Sequence, residues 1–82
     1  MSEREGAPVR VDARNLLCPM PVIRTQQAAG ALAPGAIVEV ACTDPGTRDD
    51  LPAWCRINGH ELLEVREEGF ELVFRIRVGE DR

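Results

Sequence analysis

Nothing in this chain limits its fold more than the stretch FELVFRIRV, residues 70 to 78. Phe70, Leu72, Phe74, Ile76 and Val78 fall on one side and Glu71, Arg75 and Arg77 on the other. A helix cannot produce that period of two, whereas a strand with one buried and one wet face requires it. HELLEVREEG, residues 60 to 69, precedes it, and Glu68-Gly69 supplies a turn between the two runs. The last third of the chain therefore reads as a β-hairpin, which needs further strands or helices to cover its apolar face.

The first two thirds provide them. VRVDA, residues 9 to 13, alternates Val9, Val11 and Ala13 against Arg10 and Asp12, a short first strand. From Pro19 the period lengthens: Val22, Thr25, Ala28, Ala29 and Leu32 recur every three or four residues, a helix that Pro34-Gly35 stops near Ala33. AIVEVACT, residues 36 to 43, returns to alternation as a second strand. Asp44-Pro45-Gly46-Thr47 then turns into a shorter helix that ends at Asn58-Gly59, with Pro52 expected in its first turns or at a kink. The order is β-α-β-α-β-β. Arg10, Asp12, Glu39, Arg75 and Arg77 give the strands one polar face, so both helices are expected on the other. The expected fold class is thus α/β (α+β): a two-layer sandwich of a four-stranded mixed sheet with two helices on one face. Residues 1 to 8 read as a flexible lead-in and residues 9 to 79 as a single domain, since 82 residues hold only one small core.

Charge narrows the function. The net charge is −4, with Glu61, Glu64, Glu67, Glu68 and Glu71 gathered in the second half, so no basic stripe exists for a phosphate backbone and direct nucleic-acid binding is disfavoured. All ten basic residues are arginine, which excludes lysine-amine chemistry. No apolar run is long enough to span a bilayer, and MSEREGAP lacks the layout of a secretory signal; a cytoplasmic protein with no membrane contact is expected. Cys18, Cys42 and Cys55 form no CxxC pair, and an odd count in a reducing compartment argues for free thiols.

Of the three, Cys18 has the unusual setting, NLLCPMPVIRT. With Pro19 at the first helical position, Cys18 is expected at the N-cap, its sulfur facing the unpaired N–H groups of the first turn. Pro19 and Pro21 have no N–H, so the Met20 amide is the expected nearest donor, in a turn stiffened by both rings. The dipole would lower the thiol pKa by up to about one unit. No histidine or acid adjoins the cysteine in sequence, which suits sulfur exchange better than amide hydrolysis. Arg24, one turn on, is the nearby cation that could support a sulfur anion. A buried cysteine that merely starts a helix is the competing reading, in keeping with Leu16 and Leu17 beside it.

VDARNLLCPMPVIRT resembles LDARGLxCPxP, the signature of the TusA/SirA family. TDPGTRDDLPAWCRINGHELLE, residues 43 to 64, is similar to the family's acidic Asp-Pro turn, helix and Gly-His-Glu-Leu strand start, and the likeness runs from about Val11 to Val78. The resemblance implies a sulfur relay: the cysteine of C-P-x-P takes sulfane sulfur as a persulfide from a donor such as a cysteine desulfurase or rhodanese and hands it to an acceptor protein. Carried over, that cysteine is Cys18, flanked by Pro19 and Pro21. Family roles include tRNA thiolation, molybdenum-cofactor supply and sulfur oxidation, so such a protein is a sulfurtransferase in the relay sense, with no bound cofactor. Asn15 stands where relatives carry glycine, and asparagine tolerates positive φ. Gln26 and Gln27 replace a frequent lysine pair, which removes charge that would steer a partner. Met20 stands where relatives often carry an acid.

Other readings stay open. A non-enzymatic regulatory or adaptor module would use Cys18 as a conformational cap, and a redox-sensing protein would pair Cys18 with Cys55. Cys42 shares a strand face with Val38 and Val40 and reads as core. Cys55 and His60 with the other cysteines match no structural zinc spacing, so no metal is expected. His60 is expected to cap or pack where the second helix meets the third strand, and Asp44, Asp49 and Asp50 to cap that helix. A monomer is expected.

Overall fold

The structure, a computed structural model, describes residues 8–79. The expected lead-in over residues 1 to 8 lies outside them except for Pro8. The described elements are β1 (Val9–Ala13), α1 (Met20–Gly30), β2 (Ile37–Cys42), α2 (Thr47–Asn58), β3 (Glu61–Glu68) and β4 (Glu71–Arg77), the order that the alternation and the helical spacings gave. They form one four-stranded sheet in the order β1-β2-β4-β3. β1 lies parallel to β2, while β4 runs antiparallel to both β2 and β3, so the sheet is mixed.

The register explains the two faces. Val11 pairs with Val40 and Ala13 with Cys42; Val40 in turn faces Phe74, and Val38 faces Ile76. All of these but Val11, which is partly buried against them, join Leu51, Trp54 and Cys55 of α2 and Ala29 of α1 in the buried cluster, on the side both helices cover. On the other face Arg10 pairs with Glu39 and Glu39 with Arg75. Glu39 is 11% exposed and lies 3.8 Å from the Arg10 guanidinium and 3.7 Å from that of Arg75. The acids of the outer strands are tied in the same way, Asp12 to Arg14 at 2.8 Å and Glu61 to Arg77 at 3.0 Å.

Two features depart from the sequence pattern. Phe70, expected on the core face of the last strand, is 96% exposed. Gly69, at φ +64°, takes the turn between β3 and β4, and Phe70 stands in that turn, one residue before the ladder begins. Val73, on the charged face by alternation, is nonetheless buried. Pro52 sits in the second turn of α2, and Gly59, at φ +77°, caps that helix so that the His60 N–H donates to the Cys55 carbonyl at 2.9 Å. His60 packs its ring on Trp54, centroids 4.5 Å apart, and its Nδ1 accepts from the Gly79 N–H. No helix among the described residues is long and apolar enough to cross a membrane.

Candidate functional site

A β-α-β unit with parallel strands brings the carboxyl ends of both strands to the same edge of the sheet. Here the loop after β1 carries Cys18, and the loop after β2 carries Asp44. Asn15, at φ +65°, turns the first loop, and its N–H donates to Thr43 Oγ1 at 2.8 Å. The substitution for glycine is therefore accommodated in the left-handed region, as the tolerance of asparagine anticipates.

Cys18 is exposed, between an exposed Leu17 and an exposed Pro19. It is not the N-cap. The helix begins at Met20 with Pro19 in the cap position, and the Cys18–Pro19 peptide is cis. Nor does the Met20 N–H face the sulfur, because it donates to the Leu17 carbonyl at 2.8 Å. Pro21 occupies the first turn and is buried, and its carbonyl accepts from the buried Thr25 Oγ1 at 2.8 Å within the same helix. Both expected contributions of the helix end to a thiolate, the cap geometry and the free donor, are thus missing.

In their place the second loop and α2 supply two carboxylates. The Cys18 N–H donates to Asp44 Oδ2 at 2.9 Å, and the Cys18 thiol donates to Asp50 Oδ2 at 2.9 Å. Asp44 also accepts the Gly46 N–H at 3.0 Å, and the Gly46 and Cys18 amides hold its carboxyl below the usual carboxylate range. The thiol moves the opposite way to the sequence expectation. Its bond to Asp50, then desolvation, then the charges of Asp50 and Asp44 push it up from the ordinary cysteine value. The acids read as helix caps have another use: the N-cap of α2 is Gly46, with no side-chain capping bond. Asp49, beside Asp50 in the first turn, keeps a favourable position on the helix dipole.

Arg24 is exposed on α1 and forms no ion pair among the described residues. Cys42 and Cys55 are fully buried, and burial pushes each thiol up to about 11. A resolving thiol needs access and thiolate character, and Cys55 has neither. Asp44 and Asp50 are the two residues at the cysteine that sequence reasoning did not place there. The signal was present in the β-α-β order, which obliges the two loops to meet, but their side chains come from 26 and 32 residues away.

Fold and site together define a small α+β domain that presents one thiol at the end of its sheet, backed by a closed core. Known proteins match the chain over most of its length. The family model described as Sulfurtransferase TusA matches residues 9–78. YrkI of Bacillus subtilis is 48% identical over 69 residues, covering 84% of this chain and 92% of that one. The sulfur carrier protein TusA of Pseudomonas aeruginosa is 43% identical over 67 residues, 82% of this chain and 85% of its own. Among solved structures, the SirA-like protein from Desulfitobacterium hafniense superposes with a TM-score of 0.77 at 27% identity, over 88% of this chain and 99% of that chain. The chain belongs to the TusA family of sulfur carriers. A sulfur relay role comes with that membership, and with it a donor protein and an acceptor protein as partners.

Proposed function

We propose that Cys18 is the residue that carries the sulfur, as a persulfide accepted from a cysteine desulfurase or a rhodanese and passed to an acceptor protein. The observation that supports this most is the placement of Cys18: its thiol is exposed at the end of the sheet while Cys42 and Cys55 are sealed in the core. A relay thiol must reach the active sites of two other proteins in turn, so exposure on a held loop is the geometry it needs. Asp44 holds that loop by the Cys18 amide. Pro19, Met20 and Pro21 shape the path from the cysteine into α1, and Arg24, one turn further, is free to meet a partner or the sulfur anion.

Residues 9 to 79 act as one domain, monomeric and cytoplasmic, with no cofactor of its own. The acceptor serves tRNA thiolation, molybdenum-cofactor supply or sulfur oxidation, and specificity lies in protein contacts. Intact mass after incubation with a cysteine desulfurase and cysteine, and separately with a rhodanese and thiosulfate, tests this reading. A gain of one sulfur atom is expected, reversed by reductant and absent in Cys18→Ser. No gain from either donor, or a gain that survives in Cys18→Ser, overturns it.

A further inference from the structure

The Asp50 contact reaches the sulfur itself, whereas Asp44 holds the loop through the Cys18 amide. The thiol can donate to Asp50 Oδ2 at 2.9 Å only while it keeps its proton. A carboxylate at that distance accepts from S–H and repels S⁻, so the same atom that orients the sulfur opposes its ionisation. No described residue offsets this. Among the described residues no arginine forms an ion pair with Asp44, Asp49 or Asp50, whereas each acidic residue on the strands has one. The titratable groups that act on the sulfur are Asp50 from α2 and Asp44 from the loop before it, both acidic; Arg24, on α1, is not among them.

We propose that Asp50 is the positioning residue that restrains Cys18, holding its sulfur as an oriented thiol in the free carrier. The inference rests on Cys18 being the relay thiol for its meaning, although not for its test. In the relay step Cys18 Sγ bonds to the outer sulfur of a donor persulfide, R–S–SH. The S–S bond of the donor breaks, and its electron pair leaves with the donor's inner sulfur. The outer sulfur keeps its hydrogen, and the proton lost from Cys18 ends on the donor thiolate, giving Cys18–S–SH and R–SH with no oxidant or reductant consumed. Because that attack needs the sulfur without its proton, Asp50 sets how readily the step begins. A carrier restrained in this way is slow toward small electrophiles and oxidants met on its way between partners.

Iodoacetamide alkylation, read at the Cys18 peptide by mass spectrometry from about pH 6 to about pH 10, measures the thiolate with no sulfur donor present. Asp50→Asn and Asp50→Ser remove the charge, Asp50→Glu keeps it, and Asp49→Asn removes a neighbouring charge that does not touch the sulfur. Circular dichroism confirms that each variant is folded. In the first two variants the midpoint should move to lower pH, and the rate near neutral pH should rise about threefold or more. The Glu and Asp49 variants should follow the unaltered chain. Profiles for Asp50→Asn and Asp50→Ser that coincide with the unaltered chain overturn the proposal, as does an Asp50→Glu profile displaced with them. Failure of the unaltered chain to gain sulfur would instead remove the relay reading and leave the Asp50 result standing.

Discussion

The acids of this domain fall into two populations. Every acidic residue on the strands, from Asp12 on β1 to Glu71 on β4, lies beside an arginine, while Asp44, Asp49 and Asp50 at the cysteine end have no such partner among the described residues. Exposed ion pairs contribute only about 0–1 kcal/mol each, so the strand pairs are not what holds the fold. They do neutralise a crowded charged face and leave it without a strong field. At the other end, unneutralised carboxylates stand where they act on one sulfur atom. Charge is cancelled where the sheet only needs to be wet and left uncancelled where a thiol has to be controlled.

Both populations stand on the same core, so the largest effect comes from removing that support. Phe74 is fully buried on β4, opposite Val40 and Val65. Phe74→Ala should lose about 3–5 kcal/mol, a large part of what so small a domain has. Urea unfolding followed by circular dichroism measures it. If the two populations share one support, alkylation of Cys42 and Cys55 should appear at the same urea concentration as loss of the sheet signal. A variant that kept its sheet while exposing both thiols would show two separable units.

The next effect separates the sealed thiols from the presented one. Cys42 and Cys55 titrate at about 11 in the fold, above the ordinary cysteine value of about 8.5 that applies when the chain is unfolded. A raised folded value means stability that is complete below about pH 8.5 and is lost as pH climbs through about 11. Melting temperature should therefore fall along that alkaline limb, and Cys42→Ala should shorten it even while destabilising the protein at neutral pH. An unchanged limb in that variant would mean that Cys42 adds nothing to the alkaline sensitivity of the fold.

The same contrast shows what was legible in the sequence. Alternation in β1, β2 and β4 and the helical spacings of α1 and α2 gave the order and the layers, because burial on one face imposes a period along the chain. Phe70 misled, since period alone does not say where a turn ends and a ladder begins. The position of Cys18 was legible, but its chemistry was not. A local reading gave a helix cap that favours the thiolate, while the fold brings in Asp44 and Asp50, which disfavour it. Long-range pairing of this kind leaves no local period, although the parallel strands already required the two loops to meet.

Within the paired population, Glu39 should matter most. It is 11% exposed and shared by Arg10 and Arg75, so Glu39→Gln leaves two guanidinium groups facing a neutral amide. A loss of about 1 kcal/mol is expected in urea unfolding, between the range for exposed pairs and that for buried ones. The Cys18 alkylation profile should not move, because the charged face lies across the sheet from the helices. A shift in that profile would mean that the field of the sheet reaches the sulfur and that the two populations are not independent.

The smallest effect belongs to Asp12. The Arg14 side chain, and then the Arg14 backbone N–H, hold its carboxyl down to about 2. A depressed folded value contributes stability that is present above the ordinary aspartate value of about 4 and is lost as pH falls through about 2. Asp12 is exposed, so water and salt screen most of this interaction. Asp12→Asn should therefore leave the melting temperature near neutral pH almost unchanged and flatten only its acid limb, with less effect as salt is added. If the limb kept its slope in the variant, the acid sensitivity of the domain would have to come from other carboxylates. Asp44, the other described carboxylate held low, would be the first to replace, because its loss also frees the Cys18 amide and would carry the acid limb to the cysteine end.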